Sequence, residues 1–215
     1  MPGLGTLVDD FDDGIVDPVL WPQSYGDPQE AGGRARIPCT TGYAAYRSAS
    51  SYTLTWSQVS ARVVPPAAGG ATSAAISMLV LSDVGGTDAG FLIDAAQHAL
   101  GLYSRTGYAD AGAVFLTYDD AAHAYLRLRE DDGSLYWETS ADGQLWAVRR
   151  SAASPAWTAQ ADLSLLFEAH RDAGTDDFAE LDQLNVTRAA SCAPADRRTG
   201  AVSPLSRLTA AVSGG

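Results

Sequence analysis

Short apolar or alternating segments recur along residues 1–188, and few of them show the 3.6-residue period of a helix. Clusters of Gly, Pro, Asp and Ser separate these segments, for example at residues 65–70, 83–90 and 172–177. Many short strands divided by closely spaced turn signals are typical of a β-sandwich or barrel. The pattern therefore predicts an all-β domain with very little helix.

The clearest element lies in residues 124–146, where two alternating segments flank Asp132-Gly133. Asp-Gly between alternating runs predicts a tight hairpin, because the turn needs a positive φ that glycine adopts without steric cost. One face of this hairpin is apolar and the other is polar, as the two-residue period of a strand requires. The expected cross-strand pairs are Arg127–Glu138, Leu128–Trp137 and Arg129–Tyr136.

A second hairpin is expected around Asp142-Gly143, where two registers compete. A two-residue loop places Trp146 opposite Thr139 on the core face, and we prefer this register because it buries both tryptophans of the meander. A type I turn with a glycine bulge shifts the pairing by one and places Trp146 beside Glu138.

The length and apolar content fit one domain. The chain has 215 residues, of which 46% are hydrophobic, enough for the core of one β-sandwich. We assign residues 1–188 to this domain. Residues 189–215 contain small residues and prolines but no long alternating run, so we interpret them as an extended C-terminal arm or linker. Docking of this arm on a neighbouring subunit and plain disorder are both open alternatives.

The charge balance argues against one class of partner. The net charge is −12, with 21 Asp against 5 Glu, and all 14 basic residues are arginines. Nucleic-acid binding needs clustered cations that neutralise phosphates, so no nucleic acid is expected as a partner. The sequence contains no run of about 18 apolar residues, so no membrane span is predicted. The first residues lack the basic and apolar regions of a secretory signal, so no signal peptide is expected.

The two cysteines, Cys39 and Cys192, lie far apart in the sequence, without a Cys-x-x-Cys pair or a neighbouring histidine. That spacing is not typical of zinc ligands, so it predicts no metal centre. Two unrelated thiols, or a disulfide that ties the C-terminal segment to an early strand, are both compatible with the sequence.

Three segments, taken in order, resemble a known family. Residues 9–14 read Asp-Asp-Phe-Asp-Asp-Gly and are followed by Leu20-Trp21. Residues 126–129 read Leu-Arg-Leu-Arg, and residues 136–146 read Tyr-Trp-Glu-Thr-Ser-x-Asp-Gly-x-x-Trp. Residues 181–186 form the last of the three segments. Their order resembles concanavalin A-like lectin/glucanase domains, the laminin-G-like jelly rolls. It is similar in particular to those in minor tail proteins of phages of high-GC Gram-positive bacteria. Over residues 7–188 the resemblance implies a two-sheet antiparallel jelly-roll sandwich whose first and last strands lie side by side.

The resemblance also implies a function. The expected protein is a non-enzymatic virion component, a phage minor tail or tail-tip protein for assembly or host-surface adhesion. Its expected partners are other virion proteins, contacted through the arm, and a host cell-surface glycan. It is expected in the virion, as an oligomer within the particle and without contact with a membrane. A free carbohydrate-binding module or lectin is the alternative, and a glycoside hydrolase is the disfavoured third interpretation.

The hydrolase is disfavoured because of the carboxylates. Glucanases of this fold take both catalytic carboxylates from one strand, in a Glu-x-Asp-x-x-Glu pattern, and retaining enzymes need the two groups about 5 to 5.5 Å apart. No catalytic residue is therefore predicted, because none of the glutamates fits that pattern: Glu30, Glu130, Glu138, Glu168 and Glu180.

A run of aspartates near the N-terminus raises the question of calcium. Asp9, Asp10, Asp12 and Asp13 supply carboxylates of the kind that calcium prefers. The EF-hand spacing fails, and strand alternation would send neighbouring side chains to opposite faces. No metal or other cofactor is predicted, and calcium is kept as an alternative.

Two tryptophans are the predicted carbohydrate-binding residues. Aromatic rings offer a flat apolar face and a polar edge to a sugar. Trp56 and Trp157 each lie in a stretch flanked by Ser or Thr, which favours exposure. Most other aromatic residues are expected in the core.

Overall fold

The computed structural model describes residues 1–186, so the predicted arm at 189–215 and the possible pairing of Cys192 lie outside the described residues. The described part contains two short 3-10 helices, Leu4–Thr6 and Ala156–Ala159, and no α-helix. In chain order, its strands are β1 (Gln29–Glu30), β2 (Ala35–Cys39), β3 (Ala44–Arg47), β4 (Gln58–Val64), β5 (Ala74–Leu81), β6 (Asp88–Asp94), β7 (Ala99–Arg105), β8 (Val114–Thr117), β9 (Tyr125–Asp131), β10 (Ser134–Ser140), β11 (Ala147–Ala153), β12 (Ser164–Arg171) and β13 (Asp177–Asp182).

These strands form two antiparallel sheets. The seven-stranded sheet has the order β1-β2-β13-β4-β9-β10-β11, and the six-stranded sheet has the order β3-β12-β5-β6-β7-β8. The last strand, β13, pairs with the early strand β2, and Asp9 forms a further antiparallel bridge with Leu184. The predicted all-β jelly-roll sandwich is confirmed for the described residues. Its first and last strands, β1 and β13, lie on either side of β2 and do not pair with each other.

Strand alternation builds the core between the sheets. In β4, Val59, Ala61 and Val63 are buried, and the residues between them are half-buried. Each strand thus contributes every second side chain to one shared apolar layer. An N-terminal segment closes one side of this layer, because the rings of Phe11 and Trp21 pack with Tyr46.

One tryptophan joins the two sheets by hydrogen bonds. The buried Nε1–H of Trp137, on β10, donates to the carbonyl oxygens of Gly90 (3.0 Å) and Tyr103 (3.1 Å) on β6 and β7. Gly90 has a φ of 154°, and a Cβ added there would lie 2.0 Å from the carbonyl oxygen of Met78. Only glycine fits at this position, since no side chain can share that space.

The first predicted hairpin is confirmed in register and in its turn. β9 and β10 pair Arg127 with Glu138, Leu128 with Trp137 and Arg129 with Tyr136. Asp132 and Gly133 have φ values of 47° and 74°, as a two-residue primed turn requires. The guanidinium of Arg129 lies 4.3 Å from the ring centroid of Tyr136.

Both registers considered for the second hairpin are wrong. Thr139 pairs with Ala147, so residues 141–146 form a loop wider than either register allows. Further from the loop, a bulge shifts the register between Trp137 and Glu138. The Ser140 hydroxyl and the Asp142 carboxylate accept backbone N–H groups within this loop, and these local bonds compete with a tight turn. Trp146 is consequently not in the core, and its ring lies 4.2 Å from the guanidinium of Arg127.

We predict that Glu138→Gln lowers the free energy of unfolding by about 2 kcal/mol, because it removes the charge that satisfies two largely buried guanidinium groups. Glu138 is 3% exposed and accepts hydrogen bonds from Arg127 (2.6 Å) and Arg129 (3.3 Å). Urea denaturation of purified protein measures the change. The matched control is Asp131→Asn, whose side chain is 49% exposed beside Arg129. It should cost about 0.5 kcal/mol or less, and equal losses in the two variants would contradict the prediction.

Candidate functional site

The outward surface of the six-stranded sheet has a different chemistry from the core. On β6, the core receives Ala89, Phe91 and Ile93, so Gly90 and Leu92 alternate with them and face away from it. We call this surface the outer face. Its strand residues include Ala45, Arg47, Leu166, Glu168, His170, Ala75, Ser77, Leu79, Asp88, Gly90, Leu92, Asp94, Gly101, Tyr103, Arg105 and Phe115.

Small and apolar residues form the middle of the outer face. Ala45, Leu79 and Leu166 make an apolar cluster separate from the main core, and Leu81 packs against it. Gly90 and Gly101 on the next strands present no side chain. The middle of this surface is therefore a low, weakly polar floor.

Two aromatic rings border this floor on the side of β7 and β8. The ring of Tyr103 lies directly over Gly101, since a Cβ there would meet it at 2.5 Å. Phe115 pairs with Gly101 in register, is 65% exposed and meets Tyr103 edge to face at 5.7 Å between ring centroids. An exposed apolar ring on a sheet surface suits stacking with a sugar ring.

A polar group borders the floor on the opposite side. The segment around Tyr25 adds to the edge of β3 through backbone hydrogen bonds with Ala45. This places the Tyr25 hydroxyl so that it donates to Oε2 of Glu168. Next to it, the exposed ring of Tyr43 stacks on His170 at 4.1 Å. A carboxylate, a phenol and an imidazole thus share one side of the outer face.

The two carboxylates of β6, Asp88 and Asp94, already have hydrogen-bond partners. Asp88 binds Arg105 in a two-point contact, at 2.8 and 3.0 Å, and burial raises the pKa of Asp88 although Arg105 opposes the rise. Asp94 accepts N–H groups of Ala96 and Gln97 at the following turn. The two groups lie six residues apart on one strand, about 20 Å at the usual strand rise. They therefore cannot act as a glycosidase pair.

Of the two predicted sugar-binding tryptophans, the structure exposes Trp56. It is 69% exposed, has a φ of 52° and donates its backbone N–H to Glu130 at 2.6 Å. A positive φ is unusual for a bulky residue and is often found at functional sites. Trp157 instead packs partly buried against the core. Sugar binding by either residue stays a prediction.

The N-terminal aspartates serve their own backbone. Asp9, Asp10 and Asp13 each accept the N–H of the residue two positions on, and Asp9 also accepts Trp21 Nε1–H at 2.7 Å. Within residues 1–186, no three acidic, histidine or cysteine side chains are arranged to hold a metal ion. Calcium binding by the aspartates stays an untested alternative.

An unusual carboxyl group lies beside these aspartates. Both carboxyl oxygens of Glu30 are buried, next to the Asp13 carboxylate and the Ile15 N–H. Burial raises the pKa of Glu30 to about 7, and the adjacent Asp13 and Asp9 add to the rise. Protonation removes the buried charge and allows Glu30 to donate a hydrogen bond to Asp13.

A cleft of about 570 Å³ lies at one end of the sandwich, between residues 62–68, 95–98 and 118–124. Pro65, Pro66 and Tyr118 give it an apolar wall, and Arg62 and Asp120 lie at its rim. Arg62 already faces Asp182 at 3.7 Å, and the cleft contains no pair of carboxylates. Its lining favours binding of an apolar group over acid–base chemistry.

Comparison with solved structures identifies the fold. The chain is similar to the catalytic domain of an endo-1,3-beta-glucanase (laminarinase) from Thermotoga petrophila RKU-1, with a TM-score of 0.61, 12% identity, and coverage of 82% of this chain and 94% of that one. It is similar to a Bacillus licheniformis beta-glucanase (0.62, 14%, 82% and 95%). It is also similar to SCLam, a non-specific endo-beta-1,3(4)-glucanase from family GH16 (0.62, 9%, 82% and 88%). No protein-family model and no curated protein matches the sequence.

These neighbours establish the concanavalin A-like jelly-roll fold and correct the expected function. The expectations of a non-enzymatic virion structural protein and of a chain that is not an enzyme are contradicted, since the similar structures are glycoside hydrolases. The motifs behind the virion resemblance, an Asp-Gly turn and a buried tryptophan, serve the fold itself and carry no information about a virion. At 9–14% identity the likeness shows the fold alone, so an activity enters only as a proposal. No described helix is long and apolar enough to span a membrane.

Sequence reasoning missed the residues that border the outer face. The outward position of Tyr103 and Phe115 could have been predicted from strand alternation. Tyr103 alternates with Leu100 and Leu102, and Phe115 alternates with Val114 and Leu116. Tyr25 and Glu168 lie 143 residues apart and meet only through the sheet order, so no local pattern shows them.

We predict that Glu30→Gln raises the melting temperature at pH 8 and has little effect at pH 5. The pKa of Glu30 rises from about 4.5 to about 7 on folding, so its contribution to stability is full below pH 4.5 and is lost as pH rises through 7. Differential scanning calorimetry across this range measures the effect. The control is Asp132→Asn in an exposed turn, which should keep the pH profile of the unsubstituted protein. A Glu30→Gln profile parallel to that of the unsubstituted protein would contradict the prediction.

Proposed function

We propose that the protein is carbohydrate-active and that a polysaccharide chain lies across the outer face. The observation that carries this proposal is the pairing of an exposed aromatic border, Tyr103 and Phe115, with a polar border around Glu168 on one sheet. Sugars are recognised by aromatic stacking together with a few directed hydrogen bonds, and the outer face offers both.

The register supports a ligand that crosses the strands. Glu168, Ser77, Leu92, Gly101 and Phe115 lie opposite one another on successive strands and form one row. Four strand spacings separate the ends of this row, about 19 Å in all. A linear saccharide laid along it would stack at one end and hydrogen bond at the other.

Hydrolysis of the bound chain is the second candidate function, and one contact favours it. The Tyr25 hydroxyl donates to Glu168 on the same surface, and Oε1 of Glu168 takes part in none of the described hydrogen bonds. A tyrosine nucleophile, as in sialidases, is one of the known departures from the two-carboxylate scheme of glycosidases. The glucanase domains with the same fold add to the case for this activity.

We predict that Phe115→Ala weakens binding of a β-1,3-glucan oligosaccharide about 10-fold, because it removes the exposed stacking ring. Isothermal titration calorimetry measures the affinity. Leu145→Ala is the matched control, since Leu145 is also an exposed apolar residue but lies in the 141–146 loop of the other sheet. Trp56→Ala, in the same experiment, decides whether Trp56 binds sugar. An unchanged affinity in Phe115→Ala would remove the outer face from the proposal.

For the second candidate, we expect Glu168→Gln to abolish release of reducing ends from β-1,3-glucan while the variant stays folded. The amide cannot take a proton from Tyr25, yet it can still accept its hydrogen bond. Glu138→Gln is the control on the seven-stranded sheet and should keep full turnover. Equal turnover in the unsubstituted protein and Glu168→Gln would exclude Glu168 from catalysis.

A further inference from the structure

Arg47 is an arginine with no carboxylate close enough to form an ion pair. Among residues 1–186, only Arg47, Arg149 and Arg171 have no carboxylate within 4.0 Å. Arg171 donates to two backbone carbonyls, of Ala67 and Ala68, and Arg149 donates to the Thr139 hydroxyl. The guanidinium of Arg47 donates to neither a backbone carbonyl nor a hydroxyl among the described residues. Its Nε is buried without an acceptor, as are Nε and Nη1 of Arg171.

The backbone of Arg47 is held on both sides. Its N–H donates to the Ser24 hydroxyl at 3.2 Å, its carbonyl accepts the Gln23 N–H at 3.2 Å, and it pairs in register with Leu166. The strand also carries Ala45, which belongs to the apolar cluster of the outer face, so Arg47 shares that surface. The backbone of Arg47 is thus fixed, and its buried, unsatisfied Nε–H needs an acceptor that the described residues do not supply.

Arg47 also lies in line with the aromatic border. The register places Arg47, Leu166, Leu79, Gly90 and Tyr103 opposite one another on five successive strands. This row runs parallel to the one that links Glu168 and Phe115, and it is also about 19 Å long. Between its charged and aromatic ends it offers only apolar side chains and a bare glycine.

We propose that the outer face selects an acidic polysaccharide, with the carboxylate of a uronic acid unit bound by Arg47. This inference rests on the proposed function, and it names the class of glycan. The planar fork of a guanidinium matches a carboxylate in two-point contact, which a neutral sugar hydroxyl cannot reproduce. The apolar row leads from that charge to the ring of Tyr103, where another sugar unit of the same chain stacks.

The neighbouring Glu168 limits where the ligand's charge can lie. Its carboxylate interacts with the Tyr25 hydroxyl on the Glu168 row, and a second negative charge there would be repelled. The uronate is therefore confined to the row of Arg47. Removing the charge of Glu168 should strengthen binding of an acidic glycan.

The experiment compares two probes of equal length, an oligouronate from alginate and a neutral β-1,3-glucan oligosaccharide, by isothermal titration calorimetry. The unsubstituted protein should bind the oligouronate at least 10-fold more tightly. Arg47→Gln should lose that preference and keep its affinity for the neutral probe within 2-fold, while Arg47→Lys keeps part of it. Arg149→Gln, which removes another arginine without a carboxylate partner, on the other sheet, should change neither affinity. Glu168→Gln should raise the oligouronate affinity.

The outcomes separate this inference from the proposed function. If both probes bind equally and Arg47→Gln binds as the unsubstituted protein does, the polysaccharide face stands and the acidic preference is overturned. If Arg47→Gln weakens both probes alike, Arg47 is structural, and the acidic preference is again overturned. If neither probe binds, the proposed function itself fails. Thermal melting of each variant checks that a lost affinity does not reflect unfolding.

Discussion

The hydrogen bonds from Trp137 to the carbonyls of Gly90 and Tyr103 set the relation between the two sheets. A buried indole N–H needs an acceptor, and here both acceptors belong to the opposite sheet. At Gly90 only glycine fits, because a Cβ there would lie 2.0 Å from the carbonyl oxygen of Met78 on β5. Gly90 therefore accepts the core hydrogen bond through its carbonyl and adds no side chain to the outer face.

The two outward surfaces of the sandwich differ in how their charges are satisfied. On the seven-stranded sheet, Glu138 and Glu180 each form ion pairs with two arginines. The rings of Trp146 and Tyr136 lie against the guanidinium groups of Arg127 and Arg129. These ion pairs neutralise one another. The outer face of the six-stranded sheet instead holds Arg47, with a buried N–H that lacks an acceptor. In the proposed complex with an acidic glycan, the ligand supplies that acceptor.

The resemblance to phage tail proteins and the similarity to glucanases come from the same physical source. An Asp-Gly hairpin, a core tryptophan and a closing strand beside an early one are requirements of a jelly roll, whatever it binds. They identify the fold correctly and say little about activity. The proposed function depends instead on the outward positions of β3, β6, β7, β8 and β12, which the packing of the core leaves free to vary.

The sequence by itself determined the local part of this structure. The register of β9 and β10, the turn at Gly133 and the burial of Trp137 follow from a two-residue period and one dihedral requirement, both of which act between near neighbours. The loop at Asp142 was missed because side-chain bonds to the backbone compete there with a tight turn. Only the tertiary structure decided that Tyr25 meets Glu168 and that Arg47 lies in line with Tyr103. Those contacts depend on the order of strands in a sheet, and strand order follows from how the whole core packs rather than from any one segment.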